Sequence, residues 1–258
     1  MPADGTRTDE AGIRVLALAG IPEIVEGDDL ADRIGDAVER TPGASPITSA
    51  DVLVVTQKVV SKAEGRVVAL ADVEPSTQAR ELAGDGDPRR VEVILRESAR
   101  LIRTRPPLVI AETRHGFVCA SAGVDSSNAP AAEMLVLLPE DPDASAARLR
   151  DGVRELTGAE IGVIVSDSFG RAWRQGTTDV AIGLSGIRPL LDLQGERDGV
   201  GYELHATVIA VADELAGAAE LVMGKTAGIP AAVIRGVDAG GEGTARDLVM
   251  PADRDLFR

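Results

Sequence analysis

The sequence predicts a mixed α/β fold of the α+β kind, and three observations predict it. Two apolar runs without alternation, DVLVVT at 51–56 and IGVIV at 161–165, read as short strands of the buried type. The stretches 28–40 and 143–156 place their apolar residues at helical spacing instead. Helical and strand segments then follow one another without the strict βαβ alternation of a doubly wound parallel sheet.

Residues 1–12 are polar and read as a loose N-terminal segment. Ile13–Ala19 (IRVLALA) is a strand, followed by the turn Gly20-Ile21-Pro22-Glu23. Asp28 or Asp29 starts a helix through DLADRIGDAVER, and Thr41-Pro42-Gly43 stops it. Asp51–Thr56 is the second strand. Ser76 is a natural N-cap for TQARELA. Asp87-Pro88 opens a helix that runs through VEVILRESARLIR to Arg103, ended by Pro106 and Pro107. Strands follow at Leu108–Glu112, Gly116–Ala120 and Met134–Leu138. Asp143–Leu156 is an amphipathic helix with Gly158 as its C-terminal stop. Ile161–Val165 is a buried strand ending at Ser166-Asp167-Ser168. The region 177–211 reads as several strands, Asp213–Met223 as a helix and Ala231–Ile234 as the last strand.

Composition excludes several classes of function. The 258 residues carry 27 Lys+Arg against 42 Asp+Glu, a net charge of −15, which opposes a broad nucleic-acid surface. Aromatics are only 2%, so no stacking platform for single strands exists. No apolar run approaches the roughly 18 residues of a membrane-spanning helix. The N-terminus has no secretory-type apolar segment. A single cysteine, Cys119, makes the cytoplasm the expected compartment. Small anionic ligands remain open to such a chain, provided that cations are concentrated locally or a metal is bound.

The chemistry starts with lysine, because it is scarce. Only Lys58, Lys62 and Lys225 occur, and Arg serves elsewhere, which singles out positions needing a compact ammonium. Lys58 and Lys62 lie four apart, so they share a face if TQKVVSKAEG turns helical and also point the same way if it stays extended. Lys225 follows a helix in MGKTAGIP, where glycines let a backbone approach phosphate. MGKT is not a P-loop, since Ala219 stands where the first glycine is needed and a helix precedes it. Asp125 and Asn128 in AGVDSSN, with Asp167 and Ser168 in VSDSFGR, form an oxygen-rich pair of segments suited to Mg²⁺ or Mn²⁺. Each segment alone reads more readily as a turn capping its own backbone, and it is the pair that points to a site. Arg171 and Arg174 flank Trp173 and suit either a phosphate or a stack on the indole. His115 and His205 have no zinc-type spacing.

The segments GIPEI (20–24), DVLVVTQKVVSKAEGRVV (51–68), DPRRVEVILRES (87–98), ETRHGFVCASAGVDSSN (112–128), LLPEDPDASAARLRDGVRELTG (137–158), VIVSDSFGRAWRQGTTDVAIG (163–183) and ADELAGAAELVMGKTAGIP (212–230) together resemble coenzyme F-420-0:γ-glutamyl ligases. The resemblance covers the chain from about residue 13 to 236. It implies one ligase domain over 13–245 with a tail at 246–258. It also implies an intertwined homodimer, standing alone without the C-terminal nitroreductase-like domain that some relatives carry. The implied activity joins L-glutamate to the deazaflavin precursor of coenzyme F-420 through amide and γ-glutamyl linkages, with GTP as phosphoryl donor through an acyl phosphate. By motif, Ile21, Pro22, Glu23, Ile24, Gln57, Lys62, Asn128 and the loop Met223, Gly224, Lys225, Thr226, Ala227, Gly228 and Ile229 would hold the nucleotide. Asp125 and Asp167 would ligate one Mg²⁺ or Mn²⁺ and Ser168 a second, with K⁺ as a further cation. Lys225 departs from the family pattern, which has Gln or Glu there as a second-metal ligand. A metal- and GTP-dependent ligase with another acceptor, or a non-catalytic nucleotide-binding protein, are the competing readings.

Overall fold

The computed structural model describes residues 12–256. The expected loose segment, apart from Gly12, lies outside the described residues, as do the last two residues of the expected tail. The first half of the chain runs β1 (Arg14–Ala17), α1 (Leu30–Arg40), β2 (Asp51–Thr56), α2 (Gln57–Ala63), β3 (Val67–Ala69), α3 (Thr77–Ala83) and α4 (Pro88–Glu97). A three-stranded stretch follows as β4 (Ser98–Arg105), β5 (Leu108–Thr113) and β6 (Val118–Ala120), then β7 (Met134–Val136) and α5 (Pro142–Thr157). The chain continues through β8 (Gly162–Gly170), β9 (Thr177–Ser185), β10 (Leu191–Asp192), β11 (Val208–Ile209), α6 (Val211–Met223) and β12 (Ala231–Arg235).

The main sheet has the order β1-β12-β2-β8-β9, and only its central pair, β2 and β8, is parallel. The first five residues of β2 are buried, as the unbroken apolar run requires, and α1, α5 and α6 pack into the same core as the sheet. In α1 the buried residues Ala31, Ile34, Ala37 and Val38 keep one helical face inward, and the Asp29 carboxylate caps the amides of Ala31 and Asp32. In α5 Asp141 caps Ala144, Pro142 sits in the first turn, and Gly158 takes the left-handed conformation at φ 76° that ends the helix. The edge strand β9 is tied down by two acids from first helical turns. Asp143 of α5 accepts from the Leu184 amide at 2.7 Å, and Asp213 of α6 from Ala181 at 2.9 Å. A second core packs β4-β5-β6, the β3–β7 ribbon and α4 around Ile94, Val109, Ala111 and Leu135.

Two expectations are corrected, and a third, the several strands of 177–211, is made specific. The helix opening at Asp87-Pro88 ends at Glu97 rather than Arg103. The Ser98 hydroxyl bonds the Ile94 carbonyl at 2.6 Å, and the following residues pair with β5, Leu101 opposite Ala111 and Arg100 bridged to Glu112 at 2.7 Å. Cross-strand pairing there outweighs helical propensity. The strand IGVIV does not stop at Ser166 but continues to Gly170, because the hairpin to β9 keeps it paired. The region 177–211 holds one long strand, β9, and a ribbon of two-residue strands; most of it is irregular. Pattern alone does not single out strand β3 or helix α2.

Close packing across this sheet yields a stability prediction. A methyl group built on Gly183 would sit 2.3 Å from the Pro142 carbonyl oxygen, a backbone atom that cannot yield cheaply. Gly183→Ala is expected to destabilise by about 1–3 kcal/mol. Urea unfolding at constant slope measures this, and an unchanged midpoint would contradict the close α5–β9 approach.

Candidate active site

The parallel pair β2 and β8 carries its carboxyl ends to one side of the sheet. There Thr56 leads directly into α2, and the second half of β8 supplies Ser166, Asp167 and Ser168. The loop after β1 and the loop between α6 and β12 arrive at the same end. They are fixed by backbone bonds from Leu18 to Ala231 and from Thr56 to Pro230. Together these segments enclose a cavity of about 310 Å³.

Of the residues singled out from sequence, Ile21, Pro22, Glu23, Ile24, Gln57, Lys62, Asn128, Asp167, Ser168, Met223, Gly224, Lys225, Thr226, Gly228 and Ile229 all line this one cavity. Ala227 does not line it. Asp125 stands behind it, joined to the lining residue Lys58 at 2.6 Å. All three lysines of the chain therefore converge here. The segment after β2 is helical, which settles the open choice for Lys58 and Lys62.

Each polar group has a particular setting. The Lys58 ammonium donates to Asp125, to the Ser127 carbonyl at 3.0 Å and to the Ser127 hydroxyl. Burial raises the Asp125 carboxyl, but the bonds from Lys58 and from the Ser127 amide and hydroxyl outweigh it and hold the group at about 2. Asp167 has the opposite balance. Burial pushes it up to about 7, against the Ser168 amide and the pull of Lys58 and Lys225, while neighbouring Asp179 adds repulsion. Lys62 is 5% exposed yet pairs with Glu23, which is 65% exposed, at 2.5 Å. Gln57 is wholly buried; its side-chain oxygen accepts from Ser61 at 2.8 Å, and its Nε2 has no partner among the described residues. The Glu220 Oε2 is likewise buried and unpartnered. Asn128, at φ 53°, reaches the Lys225 carbonyl at 3.5 Å and links the two loops across the cavity.

Thr56, Ser166, Asp179, Glu220 and Pro230 also line the cavity, and sequence reasoning missed them. Asp179 accepts hydroxyl bonds from Ser166 at 2.9 Å and Ser168 at 2.5 Å. Only the β8–β9 register, which sets Ser168 opposite Asp179, brings these three together. Cys119, His115, His205, Arg171 and Arg174 do not line the cavity, although Cys119 lies near enough to Asp167 to feel its charge. Cys119 is buried and its thiol is pushed up to about 12, chiefly by burial, so it is an inert packing residue. His205 packs edge-on to Tyr202, and His115 stacks on Phe117. No helix among the described residues is long and apolar enough to cross a membrane.

A mixed sheet thus gathers cations in a cleft at the carboxyl ends of two parallel strands, the usual place for a ligand in sheets of this kind. The family description F420-0:Gamma-glutamyl ligase matches residues 20–236. Relatives named coenzyme F420:L-glutamate ligase include that of Methanothermobacter thermautotrophicus, 42% identical over 96% of this chain and 99% of its own. That of Methanopyrus kandleri is 45% identical over 96% and 99%, and that of Methanocaldococcus jannaschii 44% over 83% and 86%. The chain belongs to the F420-0:gamma-glutamyl ligase family and is a ligase.

Proposed function

We propose that this ligase uses GTP to join the amine of L-glutamate to a carboxylate of the coenzyme F420 precursor, working as a homodimer. The observation that carries the phosphate chemistry is the convergence of all three lysines on one cavity in a chain of net charge −15. The names of the relatives support the acceptor and the amino acid. In the proposed sequence the γ-phosphoryl group passes from GTP to the acceptor carboxylate, giving GDP and an acyl phosphate. The glutamate amine then attacks the acyl carbon, a C–N bond forms, inorganic phosphate leaves and the amine proton goes to solvent. Lys58, Lys62 and Lys225 offset the phosphate charge, and the unpartnered Gln57 Nε2 is a ready donor to an anionic or carbonyl oxygen.

Asp125, Asp167 and Ser168 are all oxygen donors of the kind Mg²⁺ or Mn²⁺ takes; Asp167 and Ser168 line the cavity, and Asp125, held by Lys58 and Ser127, would have to exchange its Lys58 bond for the cation. The raised Asp167 carboxyl is a further sign of fit, since a neighbouring cation removes the reason for its protonation. No three His, Cys, Asp or Glu side chains converge as a metal cage among the described residues, which leaves the other coordination positions to phosphate oxygens and water. Bound there, a divalent metal would neutralise charge on the transferring phosphoryl group. An ammonium cannot ligate a metal, so Lys225 would supply at the phosphates part of the charge of a second cation.

The test is mass spectrometry of the protein incubated with GTP, Mg²⁺ or Mn²⁺, L-glutamate and the glutamate-free precursor. Products heavier by glutamyl units, dependent on GTP and metal, are expected. Metal-dependent GTP hydrolysis without mass gain would mean another acceptor, and neither product nor hydrolysis would mean a binding protein. A pH prediction follows from Asp167. Below about 7 the cation must displace its proton, so Mn²⁺ affinity is expected to fall up to about tenfold per pH unit on acidification. A titration followed by electron paramagnetic resonance between pH 5.5 and 8 checks this, and a flat profile would remove Asp167 from the ligand set.

A further inference from the structure

The buried residue Asp179 contributes nothing to the nucleotide or metal contacts assigned above, yet it is the group around which one wall of the cavity is built. It is 4% exposed, and both of its carboxylate oxygens are used, Oδ2 by the Ser166 hydroxyl and Oδ1 by the Ser168 hydroxyl. A serine hydroxyl has one proton to donate and two lone pairs. Because each serine donates its hydroxyl hydrogen bond to Asp179, the lone pairs of Ser168 are turned away from Asp179. Ser168 lines the cavity, so this orientation leaves its oxygen as an acceptor only toward the ligand space. Without Asp179 the hydroxyl would rotate freely and could present its proton to a cation.

The grip comes from the sheet rather than from a loop. Ser166 and Ser168 are two apart on β8, on one face of the strand, and Asp179 lies opposite Ser168 on β9. We propose that Asp179 is a positioning residue that fixes the Ser168 hydroxyl in its proton-away orientation and so prepares it to hold a hard cation. The proposal rests on the reading of Ser168 as a cation ligand.

The test is a double-mutant cycle read as Mn²⁺ affinity by electron paramagnetic resonance, with and without a non-hydrolysable GTP analogue. Asp179→Asn is expected to weaken Mn²⁺ binding by about 10- to 100-fold. Ser168→Ala should weaken it by a similar factor, and the double variant no further than Ser168→Ala alone, because the first residue acts through the second. Ser168→Thr keeps the hydroxyl and should retain wild-type affinity while Asp179 is present, but not in the Asp179→Asn background. Wild-type affinity in Asp179→Asn would overturn the proposal. Losses that multiply in the double variant would do so too, since Asp179 would then act by its own charge or as a direct ligand. A purely structural Asp179 would lower the melting temperature while leaving the affinity of folded protein unchanged. Should Asp179→Asn not fold, Asp179→Ser takes its place in the cycle. Wild-type affinity in Ser168→Ala also overturns the proposal. Asp167→Asn then separates the two claims, because loss of Mn²⁺ there leaves the metal reading standing without this one.

Discussion

Replacing Asp167 with Asn is expected to cut ligation by about 10²–10³-fold while leaving the protein folded, the range for losing one fixed electrostatic partner of a transition state. The stability side has a definite sign. Folding raises this carboxyl from 3.8 to about 7, so the folded protein holds its proton more tightly than the unfolded chain. The metal-free protein therefore loses this contribution as pH rises from about 4 to 7. Asn removes the buried charge, and Asp167→Asn is expected to melt no lower than the parent at pH 8. Asp125→Asn should lose activity comparably but show the opposite stability profile. Its carboxyl is lowered to about 2 by Lys58 and Ser127, so its charge favours the fold above pH 4, and that contribution fades as pH falls through 2. Turnover assays beside melting curves at pH 4, 6 and 8 separate the two variants. Near-normal turnover in either would remove it from the metal site, and parallel melting profiles would contradict the contrasting environments.

How much of this was legible in the sequence depends on the range of the interaction involved. The lysines stood out by scarcity alone, and all three line the same cavity. Helix α5 was readable because its cap, its proline and its terminal glycine all lie within the segment. The end of α4 was not, because the choice between helix and strand over Ser98–Arg105 is made by β5, a partner outside that segment. Asp179 was invisible for the same reason. In TTDVAIG it is one more acid in a chain with many, and its meaning comes only from the strand pairing that sets it opposite Ser168. Gln57 reads as an ordinary polar residue at the start of a helix; its total burial is a property of where β2 delivers it. The residue-level assignments near Gly20 and Met223 came from the resemblance, because a loop that turns its backbone toward a ligand leaves no periodic pattern to read.

Lys62→Met is expected to lower kcat/KM for GTP by about 10- to 100-fold, mainly through KM, with little change in melting temperature. The Lys62 side chain is 5% exposed, and its one ion-pair partner among the described residues, Glu23, is 65% exposed on the loop after β1. A buried ammonium facing a cavity with a surface carboxylate as partner is poorly neutralised, and a triphosphate is the stronger competitor for it. A hydrogen bond to a charged group contributes about 1.5–3 kcal/mol, which corresponds to the stated loss in affinity. Met keeps the length and apolar stem of lysine, and the partner it leaves behind, Glu23, is exposed and stays solvated, so no buried charge is stranded. Arg should not rescue fully, because its planar fork presents its donors in a different geometry from the compact ammonium. The same argument predicts that Glu23→Gln, which weakens the internal competitor, leaves KM for GTP unchanged or lower. An increase in KM in Glu23→Gln, or an unchanged KM with a lower melting temperature in Lys62→Met, would make this ion pair a structural clamp on the loop after β1 rather than a waiting phosphate contact.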